Sequence, residues 1–264
     1  MSMPSSKSAL QGRHRHCFCG LRLSLASLAL GSQLIFAQTD FTGGAGGNIP
    51  DATSLGPIVG NPNAGVFTSD LNVANPGVIT SFNSITLDNF SHTWVGDLVF
   101  ELGHVDSGTT VIFMYRPLKV SAISGYGSDS DLNGTYTFDN DLTSTFGSSD
   151  SIWLAASNSS VIPGGTYAAS ADVFTGSAKT SYQPVNLNVF AGESIAGTWE
   201  LTIRDESIGD VGTFSGWQFD ATVNPAPEPD SAALVICGAI TSFLLVTFWR
   251  RPTRQGVSRP AQHP

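Results

Sequence analysis

The sequence predicts an all-β domain, an antiparallel jelly-roll β-sandwich, followed by one carboxy-terminal transmembrane helix. Three observations lead there. Apolar residues alternate with period two through the middle of the chain, clusters of Gly, Asn, Asp and Ser interrupt the alternation at short intervals, and no long stretch before residue 231 has a helical period. Many short strands joined by turns make a sandwich or a jelly roll.

The elements follow in chain order. Arg13, His14, Arg15, His16 and Arg22 precede an apolar run from Leu23 to Phe36, and Ala37 offers the small residue that a secretory leader needs before its cleavage site; residues 1–37 are therefore expected to be a signal peptide. Residues 39–224 form the expected sandwich. Leu98, Phe100 and Leu102 share one strand face, with Asp97, Val99 and Glu101 on the other. Trp199, Leu201 and Ile203 alternate with polar neighbours, as do Trp217, Phe219, Ala221 and Val223. Thr110 to Tyr115 and Asn186 to Phe190 read as further buried strands. The alternation points Trp199 and Trp217 into the core, and leaves Trp94 and Trp153 as the two tryptophans open to stacking on a ligand.

The carboxy-terminal end reads differently. Prolines 225, 227 and 229 precede an uncharged stretch at 231–249, then Arg250, Arg251 and Arg254. Nineteen residues at helical rise span about 28 Å, the thickness of a hydrocarbon core. The arginines place 255–264 in the cytoplasm and the preceding domain across the membrane.

Charge narrows the partners. Between residues 38 and 230 stand four basic residues against all 21 acidic ones, a net charge of −17. Such a body repels phosphate backbones, which excludes nucleic acid as a partner and suits an extracellular surface or the binding of hard cations. Cys17, Cys19 and Cys237 all lie outside the sandwich, so its stability must come from a core without disulfides.

Asp129, Asp131, Asn133 and Gly134 copy the opening of a calcium loop, with oxygen ligands at alternate positions and a Gly for the turn. The twelfth position holds Asn140 where a bidentate Glu is expected; Asp139 and Asp141 flank it and stand as substitutes. An Asx-rich turn without metal uses the same residues. For catalysis the body offers His92 and His104 as bases, with no Gly-x-Ser-x-Gly elbow. His104, beside a turn, reads as an exposed loop residue.

Two resemblances organise these readings. Ser91-His92-Thr93-Trp94-Val95-Gly96-Asp97-Leu98, the turn Ser107-Gly108-Thr109, Gly192-Glu193, Gly197-Thr198-Trp199-Glu200-Leu201, Asp205, and Gly209 to Thr213 with Trp217 together resemble the P domain (P/Homo B domain) of proprotein convertases and bacterial subtilases. Thr135 to Asp139 resembles a recurrent loop of its bacterial members, and Ile49-Pro50-Asp51 its usual entry. The resemblance implies a non-catalytic sandwich that, in convertases, supports a neighbouring subtilisin-like domain. It makes His92 structural, and assigns Asp97, Asp205 and Asp210 to positions associated with ion-stabilised loops, a second candidate calcium cluster.

The tail, Pro227-Glu228-Pro229 with its apolar span, Arg250 and Arg251, resembles the PEP-CTERM signal of exosortase substrates over 227–254. It implies transient membrane anchoring and cleavage by an exosortase-type enzyme. The expected protein is exported and envelope-sorted, a non-catalytic binding or structural component with a polysaccharide or protein ligand. The alternative is an accessory P domain acting with a separate subtilisin-like serine protease.

Overall fold

The computed structural model describes residues 37–57, 60–119, 121, 124–140, 151–158, 160–175 and 178–226. Two sheets face each other across one core. The first has the order β1 (Ala37–Ile49), β11 (Gly212–Pro225), β3 (Gly77–His92), β6 (Asp131–Asp139), β7 (Val161–Ala168). The second has the order β2 (Gly65–Val73), β10 (Gly197–Asp205), β4 (Leu98–His104), β5 (Thr109–Tyr115), β8 (Ser170–Thr175), β9 (Ala178–Pro184).

Period-two alternation places the core where it was expected. On β10, Leu201 and Ile203 lie opposite Leu102 and Phe100 of β4, and all four are buried. Trp217 and Phe219 of β11 are buried from the other sheet. Phe82 of β3 and Phe219 stack at 5.1 Å, and Trp199 reaches across to Phe219 at 4.8 Å. Large aromatics from facing sheets therefore interlock, the contact that removes most apolar area from water. The Trp217 indole donates to Ser69 Oγ at 2.9 Å, which satisfies its one polar atom inside the core. Gly44 sits under that ring, where any Cβ would overlap the indole.

Three expectations change. The sandwich is not wholly antiparallel: β6 pairs β7 and β5 pairs β8 in parallel. Both pairs are joined by excursions long enough for a crossover, which parallel pairing requires. Asn186 to Phe190 is not a strand: Leu187–Phe190 is a 3₁₀ turn, capped because the Asn186 side chain accepts from Asn188 N at 2.9 Å. An Asx cap outcompetes apolar alternation over so short a run. Residues 131–139, read as a loop, form β6, because ladders with β3 and β7 satisfy its backbone from both sides. Trp153 lies on a short helix, α1 (Ile152–Asn158). Among the described residues no helix is long and apolar enough to cross a membrane; the expected span at 231–249, the motif at 227–229, Arg250, Arg251 and the leader at 1–36 lie outside them.

Candidate functional site

The motif residues gather at two separate corners of the sandwich. At the first, β3 ends on His92, the chain turns through Val95–Asp97 in a 3₁₀ turn, and β4 begins at Leu98. Trp94 N donates to His92 Nδ1 at 3.1 Å, so that nitrogen is the acceptor. The proton then sits on Nε2, 3.2 Å from Asp205 Oδ2, with both side chains fully buried. Thr93 Oγ1 donates to Asp210 Oδ1 at 2.8 Å, and Gly209 N donates to Asp51 at 3.1 Å. The His-Thr element, the Ile49-Pro50-Asp51 entry and the 205–210 loop are thus one structure.

Arg116 joins the corner to the neighbouring loops. Its side chain is fully buried and donates to Gly96 O at 2.8 Å, Gly56 O at 2.7 Å and Asp97 Oδ1 at 3.1 Å. Arg116 and Leu118 both have positive φ, backbone strain that this many bonds can hold in place. Lys119, also without exposed surface, donates to the carbonyls of Pro57, Ser124 and Gly125. Burial, helped by the Arg116 charge, pulls Lys119 down to about 8. Asp97 is pushed up to about 7: burial raises it, Asp205 and Asp210 add to this, and Arg116 and His92 only partly oppose it. Beside this network opens a cavity of about 210 Å³, lined in part by Leu55, Trp94, Asp97, Tyr126, Ile208 and Asp210.

The second corner is closed. His104 is not an exposed loop residue; it ends β4 almost wholly buried and stacks on Trp199 at 4.4 Å. Glu193 accepts from His104 Nδ1 at 2.9 Å, Ser107 Oγ at 2.8 Å and Thr109 Oγ1 at 2.5 Å. Burial works against the Glu193 charge, but the three donors outweigh it and hold the carboxyl below its ordinary value. The Ser-Gly-Thr turn and the Gly-Glu pair are therefore two sides of one contact. Gly197, at φ +142, lies where a Cβ would overlap Asp106 and His104.

Among the described residues neither histidine stands in the arrangement of a catalytic triad. Among the described residues no hydroxyl bonds to a ring nitrogen of His92 or His104; at His104 the carboxylate stands between imidazole and Ser107. A triad needs the imidazole between hydroxyl and carboxylate.

The candidate calcium residues divide in two. Asp131, Asn133 and Asp139 occupy outward positions of β6, and eight residues of extended chain separate Asp131 from Asp139 by roughly 26 Å. They cannot reach one ion together. Asp129 is exposed just before the strand, and Asp141 lies outside the described residues. Asp97, Asp205 and Asp210 belong to the same corner, where Arg116, His92 and Thr93 are their respective partners. Among the described residues no three His, Cys, Asp or Glu side chains are grouped to hold a metal. Sequence reasoning missed Arg116, Lys119, Leu55 and Tyr126, which carry no local motif and are assembled only by the loops.

Comparison with known proteins follows this geometry. No curated protein matches the chain. Two solved structures are similar over much of its length. The serine protease of Aeromonas sobria is 15% identical with a TM-score of 0.32, covering 74% of this chain and 29% of the protease. The complex of that protease with a chaperone gives 16% and 0.31, covering 73% of this chain and 27% of that one. The chain thus spans less than a third of the length of those protease chains. Residues 162–221, from β7 to β11 and including Glu193, Trp199, Asp205 and Asp210, match the model of the proprotein convertase P-domain.

Proposed function

We propose that this chain is an exported, non-catalytic binding or structural module of the cell envelope. One observation carries the reading: both body histidines are consumed in tying loops together, His92 to Asp205 and His104 to Glu193, with no activated nucleophile beside either among the described residues. The P-domain match supports it, since such domains are typically accessory. Export and sorting rest on the leader at 1–37 and the Pro227-Glu228-Pro229 tail, processed by an exosortase-type enzyme after transient anchoring through 231–249. The test is labelling of the purified full chain with a serine-reactive phosphonate, alongside a peptide-hydrolysis assay. No labelling and no turnover are expected. Stoichiometric labelling abolished by His92→Gln or His104→Gln would overturn the proposal.

A second reading has the P-domain match in its favour: an accessory module docking on a separate subtilisin-like serine protease. Co-purification of such a protease with the full chain from the native envelope would select it. Intact mass from the same material tests sorting, with loss of the residues after about Asp230 expected.

A further inference from the structure

The cavity at the first corner has walls of three kinds. Trp94 and Tyr126 supply aromatic surface, Asp97 and Asp210 supply carboxylates, and Leu55 and Ile208 form an apolar rim. That rim is 62% and 44% exposed at Leu55 and Ile208, and Val211, next to Asp210 in the chain, is 66% exposed. Isolated exposed aliphatics need no explanation, but two on the rim of one acidic cavity, with a third beside it in the chain, make a surface prepared for contact.

The carboxylates are only half used. Asp97 Oδ1 takes Arg116 and Asp210 Oδ1 takes Thr93, while the Oδ2 atoms of both have no donor among the described residues. Among the described side chains no basic group is left to serve them. Arg116 and Lys119 are fully buried and bonded, and Arg204 pairs with Glu101 at 3.6 Å and Glu206 at 3.9 Å. With a body charge of −17, the site is complementary to positive charge brought by another molecule.

We propose that this cavity receives the side chain of an arginine from a partner polypeptide, its guanidinium between Asp97 and Asp210 and against the Trp94 indole, its methylenes along Leu55 and Ile208. Arginine fits better than lysine because a planar fork satisfies two carboxylate oxygens and stacks on an aromatic face, whereas an ammonium is a compact, strongly hydrated point charge. The volume holds one side chain, so neighbouring residues of the partner lie over the apolar rim. The proposal rests on the binding-module reading and names the ligand class of that module.

Isothermal titration of the full chain tests it with three probes: the N-acetyl methylamides of arginine, lysine and citrulline. Citrulline keeps the shape and removes the charge. Saturable binding of the arginine amide is expected, with the citrulline amide at least about tenfold weaker and the lysine amide in between. Asp210→Asn and Ile208→Ser change partly exposed positions and should each weaken arginine binding, Asp210→Asn by about tenfold, while melting temperature stays near wild type. Equal affinity for arginine and citrulline amides, no saturable heat with the arginine amide, or full affinity in Asp210→Asn would each overturn the proposal. Phosphonate labelling reports separately on the non-catalytic reading, so failure of one is not mistaken for failure of the other.

Discussion

The two corners of the sandwich are built from similar parts and end in opposite electrostatic states. Each pairs a buried histidine with a carboxylate from the far half of the chain, and each encloses motif residues. At the His104 corner one carboxylate, Glu193, collects three donors and is held in its charged form. At the His92 corner Asp97 pairs with Arg116 while Asp205 and Asp210 add negative charge nearby, and burial pushes Asp97 toward its neutral form. In the first arrangement the carboxylate is fully engaged, and His104 Nε2 is left buried without a partner among the described residues. The second is short of positive charge and opens into a cavity. Two things separate them: the Asp97 side chain is almost wholly buried while that of Glu193 is one-fifth exposed, and the ratio of donors to acids is lower at Asp97.

The largest expected effect breaks the His92 corner. Arg116→Ala strands Asp97 and two carbonyls inside the fold and should cost about 3–5 kcal/mol, measured by urea unfolding. Arg116→Lys should recover only part of this, because an ammonium cannot span the same three acceptors. Next, Glu193→Gln at the other corner should cost about 1–3 kcal/mol, as three charge-assisted bonds become neutral or are lost. Thermal melts of Glu193→Gln and Ser107→Ala together would show whether the two losses add, as independent sites would, or overlap, as one network should.

The pH dependence sharpens the contrast because its sign differs between the corners. The folded Asp97 carboxyl keeps its proton up to about 7, while the unfolded one releases it near 4. Its contribution is therefore full below pH 4 and is lost as pH rises toward 7. Glu193 is shifted the other way, so its contribution is present above its ordinary value and lost as pH falls through the lowered one. Asp97→Asn should flatten the decline in stability between pH 4 and 7, and Glu193→Gln should flatten the acid limb; denaturant melts across pH 3–8 check both. Smallest of all is the expected response to calcium. Because Asp131 and Asp139 lie at opposite ends of one strand, millimolar calcium after chelation should leave the calorimetric melting temperature within about 1 °C. A larger upward shift, abolished in Asp131→Ala, would restore the calcium loop.

These corners also mark how far a linear reading reaches. His92, Asp97, Asp205, Asp210 and Glu193 were all visible as motif positions, but their pairings were not. His92 and Asp205 are 113 residues apart, and His104 and Glu193 are 89 apart. His104 looked exposed because the turn after it is polar; the ring instead lies flat on Trp199, which no local pattern records. That 131–139 form a strand where a loop was expected has a related cause. Asp, Asn and Gly favour turns, but two flanking strands offered the backbone a ladder, and a ladder on both sides outweighs local preference.

The sequence by itself determined the strands that carry the core. Alternation in Leu98 to Leu102, Trp199 to Ile203 and Trp217 to Val223 leaves one strand face apolar, and slipping any of them by one residue would expose that face. It also determined the acidity of the body, a matter of composition alone. Only the tertiary structure decided the parallel pairings of β6 with β7 and β5 with β8, the burial of Arg116 and Lys119, and the cavity beside Trp94. Each depends on loops distant in sequence meeting at one corner. The free energy of such meetings is set by burial and by which donors find which acceptors, and neither quantity exists until the chain is folded.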